Sequence, residues 1–300
     1  ISRNLGFMNM GPDRKEHFYA DKERFYTQML ALLKPFTEVT QKIVFELIHQ
    51  AFKNCFEGDI KKEPDKSSSI FYHIHNPSFE ELSHYRDTYP NSKQLLIVRN
   101  PVQSLESHII SVLPKDSWEG NSADFSTIIK NWTQVNSTLT FFLFTFTSPN
   151  VDSKSWRGVK LEDLKSNPKE TLEKLVQWIG IPFHPTLLNS TFGNLEYWGP
   201  LSPNSAPIRG FDKANLQQKK GRFFGRKDIE ILETLLLPFS VAYGYSDTSI
   251  DELSYKLKHI QPLLDKPLEY EQRLFINYLP KSTHLDELVP YRNTHNLLKF

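Results

Sequence analysis

The chain has 300 residues, 39% of them hydrophobic and 13% aromatic, which is enough apolar material for one large α/β unit. Charged residues make up 24% and the formal net charge is +1, which excludes the strongly basic footprint of a nucleic-acid binder but leaves room for a local anion site. The single cysteine, Cys55, excludes an intrachain disulfide and suits a reducing, cytoplasmic setting, with a lumenal one left open.

Ile1–Gly11 reads as neither a signal nor a transit peptide. Residues 13–33 then carry Phe18, Phe25, Met29, Leu32 and Leu33 at helical spacing, and Pro35 ends that helix. A second helix is expected over 38–56, followed by a polar loop from Gly58 to Ser69. Three short apolar runs, 69–74, 94–98 and 157–161, read as strands, each followed by a helical pattern. The intervening helices are expected over 77–88, 101–112 and 125–146, and one more follows Asn167-Pro168 and runs to Ile179. Residues 182–221 read as a long ordered loop, a length that is usually functional. A helix over 226–243 and a proline-broken helical tail from 248 complete the chain. No apolar run approaches the ~20 residues that span a bilayer. Asn131, Asn136 and Asn189 open Asn-x-Thr tripeptides that short chance matches readily produce.

Strands alternating with helices predict a three-layer α/β domain, a parallel sheet with helices on both faces. We expect that domain over 1–247 and a helical extension packed on it over 248–300.

Four places carry candidate chemistry. Arg99 stands at the carboxyl end of the predicted strand 94–98, the edge at which open α/β sheets bind ligands. Pro101 opens the next helix and Ser107 lies about two turns along it, so a guanidinium and a hydroxyl could clamp one phosphate. The alternative is a surface ion pair and a solvent-facing serine. His73 and His75 share a face if 69–74 continues as a strand, and fit a general base, a satisfied structural pair or part of a metal site. Lys220, Gly221, Arg222 and Phe223 form a basic, glycine-containing loop suited to a phosphate or simply to solvent. Glu162 and Asp163 at a strand end fit a cap for the next turn or an acceptor contact.

The strand–Arg99-x-Pro101–Ser107 pattern resembles the 3′-phosphate motif of the sulfotransferases. A second segment, from Val159-Lys-Leu-Glu-Asp-Leu through Asn167-Pro168 to Ile179-Gly-Ile-Pro182, also resembles that family, and Tyr197-Trp-Gly199 is similar to a bacterial-type branch. The likeness covers about residues 70–245. It implies a fold related to P-loop NTPases and a donor, 3′-phosphoadenosine 5′-phosphosulfate (PAPS), whose sulfuryl group moves to a hydroxyl or amine without a metal. Arg99, Ser107, Lys220, Gly221, Arg222 and Phe223 would hold the nucleotide, and His75, with His73 beside it, would be the base. Leu161 stands where many members carry a tyrosine. The family's Gly-rich phosphosulfate loop is not evident after Gly6 or Gly11, and we expect it upstream of Ile1. The acceptor, a small molecule, lipid or saccharide, is open, as is the oligomeric state. A non-catalytic nucleotide-binding domain and a P-loop-type kinase are the alternatives.

Overall fold

The computed structural model describes residues 8–56, 69–74, 79–112, 125–146, 154–193, 195–197, 211, 213, 216, 221–249 and 251–275. In chain order these form β1 (Met8–Met10), β2 (Glu16–His17), α1 (Lys22–Leu33), α2 (Gln41–Asn54), α3 (Phe79–Thr88), β3 (Gln94–Val98), α4 (Pro101–Val112), α5 (Phe125–Phe146), β4 (Trp156–Lys160), α6 (Leu161–Ser166) and α7 (Pro168–Ile179). A 3₁₀ turn (Pro185–Leu188), β5 (Thr191–Phe192), β6 (Leu195–Glu196), α8 (Arg226–Leu235), α9 (Leu237–Ala242), α10 (Asp251–Leu264) and α11 (Glu269–Phe275) follow. The result is a mixed α/β protein rich in helix, with a small parallel sheet among the described residues.

Two compact units divide the chain: Ile1–Ser92 with Pro168–Asp212, and Lys93–Asn167 with Lys213–Phe300.

In the first unit, α1 starts later than its apolar spacing suggests. The Asp21 carboxylate accepts the Arg24 N–H at 2.8 Å and fixes the start there, leaving the preceding residues to a hairpin of β1 and β2. Thr40 caps α2 in the same way through the Ile43 N–H at 3.3 Å. The two helices bury Leu32, Leu47 and Ala51 between them. The Gly11 N–H donates to the Glu196 carbonyl at 3.0 Å, and Phe18 stacks on Phe56 and meets Phe192 edge-on, so the two short hairpins share one aromatic cluster. The strand expected over 69–74 does not form. Its residues pair with no strand among those described, and Phe71 and Tyr72 are exposed. The Tyr72 ring instead meets Phe45 of α2 edge-on at 5.0 Å. Apolar content sufficed to suggest a strand, but a strand needs a neighbouring ladder, and this segment found a helix.

In the second unit, β3 and β4 pair in parallel from Gln94↔Trp156 to Val98↔Lys160. Gly158 sits in the middle of β4 because the Tyr243 ring occupies the space a Cβ would need. The core joins α4 (Val102, Leu105, Ile109), α5 (Ile128, Val135, Leu139) and α8 (Ile231, Leu232). Asp228, fully buried at the start of α8, accepts backbone N–H groups from Gly225, Glu269 and Tyr270 at 3.1, 2.7 and 2.9 Å, which pins α11 to that helix. Glu271 does likewise on α5, taking the Trp132 indole N–H at 2.9 Å. Asn131 and Asn136 are 4% exposed on α5, so neither glycosylation tripeptide is reachable in this fold, whereas Asn189 is exposed.

Candidate functional site

The carboxyl edge of the β3–β4 pair is built by two short motifs. After Val98 the chain passes through half-buried Arg99 to Asn100, whose side-chain oxygen accepts the Gln103 N–H at 3.1 Å and caps α4, and Pro101 suits the first helical turn. After β4, Glu162 in the first turn of α6 reaches back. Its Oε1 accepts the Asn100 N–H at 3.2 Å and its Oε2 accepts the Tyr245 hydroxyl at 2.8 Å. Glu162 is thus a cap, favourably placed beside the positive end of the α4 dipole. Lys160 donates to the Gly244 carbonyl at 2.7 Å and lies over the Tyr245 ring. Burial, chiefly, and the bond to Glu162 hold the Tyr245 phenol well above its ordinary pKa, and the Arg99 charge works against them. The sequence offers no motif around Tyr245 that would have singled it out.

The second turn of α4 holds the basic loop. Glu106 is 3% exposed, and its Oε1 accepts the N–H groups of Phe223 and Phe224 at 2.7 and 3.0 Å. Ser107, half-buried, is the next residue along α4, and Arg222, exposed, is the residue before Phe223. Two residues 115 positions apart therefore flank one hydrogen bond. Gly221 has φ +85°, a conformation that glycine adopts without strain, so the loop enters this contact by a turn that a Cβ would oppose. Phe223 is 2% exposed against Phe224 and Tyr270, so its ring anchors the loop in the core and offers no face to a ligand. Lys220 lies outside the described residues.

A cleft of about 600 Å³ opens from the same edge. Asn100, Pro101 and Tyr245 form one end. Its sides are α8, with Arg226, Glu230 and Glu233, and α10, with Tyr255, Lys256 and His259.

His73, in the first unit, is exposed and stands outside any strand, so the alternation expected to align it with His75 does not operate there. His75 lies outside the described residues. Among those described, no three His, Cys, Asp or Glu residues converge as a metal site requires, and no helix is long and apolar enough to cross a membrane.

Residues 7–185 match the model of a family described as the sulfotransferase family. No curated protein matches the chain. Among solved structures, a sulfotransferase domain from the curacin biosynthetic pathway is similar at 18% identity, over 86% of this chain and 79% of that one, with a TM-score of 0.28.

Proposed function

The chain belongs to the sulfotransferase family, and from that premise we propose that it binds PAPS and moves the sulfuryl group to a hydroxyl or amine acceptor. The observation that supports the reading is the pair of bonds from the Phe223 and Phe224 N–H groups to Glu106, which tie the loop carrying Arg222 to α4, the helix that follows Arg99 and carries Ser107. Two guanidinium groups and a hydroxyl suit a dianionic phosphate, because each cation can give charge-assisted hydrogen bonds. Arg99, Ser107 and Arg222 are the residues that would hold the 3′-phosphate, with Lys220 and Gly221 in the same loop. Phe223 serves as that loop's anchor in the core. Bound PAPS would supply an activated sulfuryl group on a phosphate leaving group. Transfer of this kind depends mainly on positioning and charge neutralisation, as phosphoryl transfer does. His75 is the proposed base, taking the proton of the acceptor as the new S–O or S–N bond forms, with His73 as the neighbouring alternative. A three-layer arrangement of the complete sheet and a cytoplasmic setting belong to the same proposal.

One observation favours a second reading, a nucleotide-binding domain with little transferase activity. The family match begins before β1, and the turn that follows β1, Gly11-Pro-Asp-Arg-Lys15, contains no serine or threonine. A phosphosulfate loop of the expected kind would supply that hydroxyl.

Calorimetry with adenosine 3′,5′-bisphosphate and AMP tests the binding step, and labelled PAPS with an acceptor panel tests the transfer. The 3′-phosphorylated nucleotide is expected to bind more tightly, and Arg99→Ala to cost about 1.5–3 kcal/mol, roughly 10- to 150-fold. Equal affinity for the two nucleotides removes the assignment. Binding without transfer to any acceptor selects the second reading.

A further inference from the structure

The edge that ends in Arg99 is gripped by a segment far along the chain, and each residue of that segment makes one contact. Tyr243 lays its ring against Gly158, in the middle of β4. Gly244 turns the chain with φ +64°, and its carbonyl accepts a bond from the Lys160 ammonium at 2.7 Å. The Tyr245 hydroxyl donates to Glu162 Oε2 at 2.8 Å. The segment is seated independently of that hydroxyl, because the N–H groups of Tyr245 and Ser246 both donate to the Ser240 carbonyl in α9, at 2.6 and 3.1 Å. The hydroxyl therefore does something that the rest of the grip does not. The other oxygen of Glu162, Oε1, accepts the Asn100 N–H at 3.2 Å, so Tyr245 and Asn100 take one carboxylate oxygen each. Asn100 directly follows Arg99, and its side chain is itself tied down as the cap of α4. Arg99 shares the electrostatic neighbourhood. Burial first, then Glu162 and Asp163, hold the Tyr245 phenol above its ordinary pKa, and the Arg99 charge opposes them. A guanidinium binds a carboxylate and a phosphate by the same paired N–H donors. Glu162 and a 3′-phosphate are thus rivals for Arg99, and a carboxylate already stabilised by a hydroxyl on its second oxygen is the weaker rival.

We propose that Tyr245 is a positioning residue for nucleotide binding: by occupying Glu162 Oε2 it holds Glu162 as the cap of the Arg99–Asn100 turn and keeps that carboxylate from competing with the 3′-phosphate for the Arg99 guanidinium. This rests on the assignment of Arg99 to that phosphate. Tyr245 touches no reacting atom and acts through Glu162 alone.

The test is calorimetry on the full chain with adenosine 3′,5′-bisphosphate and with AMP, so that the ratio of the two affinities reads the 3′-phosphate contact by itself. Tyr245→Phe removes one hydroxyl and leaves the ring. The ratio is expected to fall roughly 3- to 10-fold, the worth of one ordinary hydrogen bond, with AMP affinity unchanged. Adding Glu162→Gln to that variant should restore the ratio, because the released side chain no longer carries a charge that attracts Arg99. Glu162→Gln alone should match or exceed the wild-type ratio, since the amide supplies an acceptor for the Asn100 N–H and a donor for the Tyr245 oxygen. A contact that only stabilised the fold would not give this pattern, for the double variant would then do no better than Tyr245→Phe. The proposal is overturned by an unchanged ratio in Tyr245→Phe, by equal losses for the two nucleotides, or by a double variant whose ratio stays low. Should thermal denaturation show Tyr245→Phe to be unfolded, Glu162→Gln decides the matter, and a ratio below wild type overturns the proposal. A wild-type chain that binds both nucleotides equally removes Arg99 from the 3′-phosphate and takes the proposal with it. A wild-type preference that Tyr245→Phe leaves intact ends the proposal alone and keeps the nucleotide reading.

Discussion

Glu106 is the sharpest point at which to press the reading, because one buried carboxylate oxygen accepts both backbone N–H groups of the segment that follows the basic loop. Glu106→Ala would leave the Phe223 and Phe224 N–H groups without their acceptor, in a segment whose rings are 2% exposed. An unsatisfied buried donor costs about 1–3 kcal/mol, so the pair puts the loss at about 2–6 kcal/mol, a large part of the ~5–15 kcal/mol that holds a domain folded. Glu106→Gln is the control. Both bonds end on the same oxygen, Oε1, so an amide carbonyl can accept both and only the assistance of the charge is lost, about 1 kcal/mol. Urea denaturation of the three proteins should therefore order them wild type, Gln, Ala, with Ala well separated. Hydrogen exchange at the Phe223 and Phe224 amides should accelerate strongly in Ala and little in Gln. Adenosine 3′,5′-bisphosphate affinity should follow the exchange rates if the loop serves the nucleotide, because a released loop no longer holds Arg222 against α4. Equal stability for Ala and Gln would refute the hydrogen-bond argument. Fast loop exchange with unchanged nucleotide affinity would leave the bond intact as structure and remove the loop from the nucleotide site.

Gly158→Ala should destabilise the second unit by about 1–3 kcal/mol, since its Cβ overlaps the Tyr243 ring, and a thermal unfolding midpoint equal to wild type would count against the packing of Tyr243 on β4. Tyr245 binds its proton more tightly folded than unfolded, so above about pH 10, the ordinary value at which the unfolded phenol ionises, stability should fall as pH rises. Tyr245→Phe should flatten part of that slope in chemical denaturation at pH 9–11, and superimposable slopes would contradict the buried pairing with Glu162. His75→Ala should lower turnover by roughly 10²–10⁴-fold with nucleotide affinity nearly unchanged. Loss of turnover in His73→Ala alone would move the base by two residues, and loss in neither variant would place it elsewhere.

Much of the element order was legible in the sequence because periodicity, prolines and strand composition act locally. Helices over 101–112, 125–146 and 168–179 and the strand over 94–98 stand where those signals put them. The Arg99-x-Pro101 motif and the likeness to the sulfotransferases were equally local, being spacings along one chain. What tertiary structure alone decided depends on partners distant in sequence. The 69–74 run has the composition of a strand, yet a strand is defined by a neighbour's hydrogen bonds, and Phe45 of α2 took its ring instead. Glu162 was expected to cap its own turn or to meet an acceptor, and its carboxylate instead accepts the Asn100 N–H, 62 residues away, at the start of α4. Phe223 looked like a ligand contact because a loop aromatic carries no mark of whether it will face solvent or core, and Phe224 and Tyr270 made it core. The cleft has no sequence signature at all, since its hydroxyls, carboxylates and Tyr255 come from separate segments that only the packing of α8 with α10 brings to one surface.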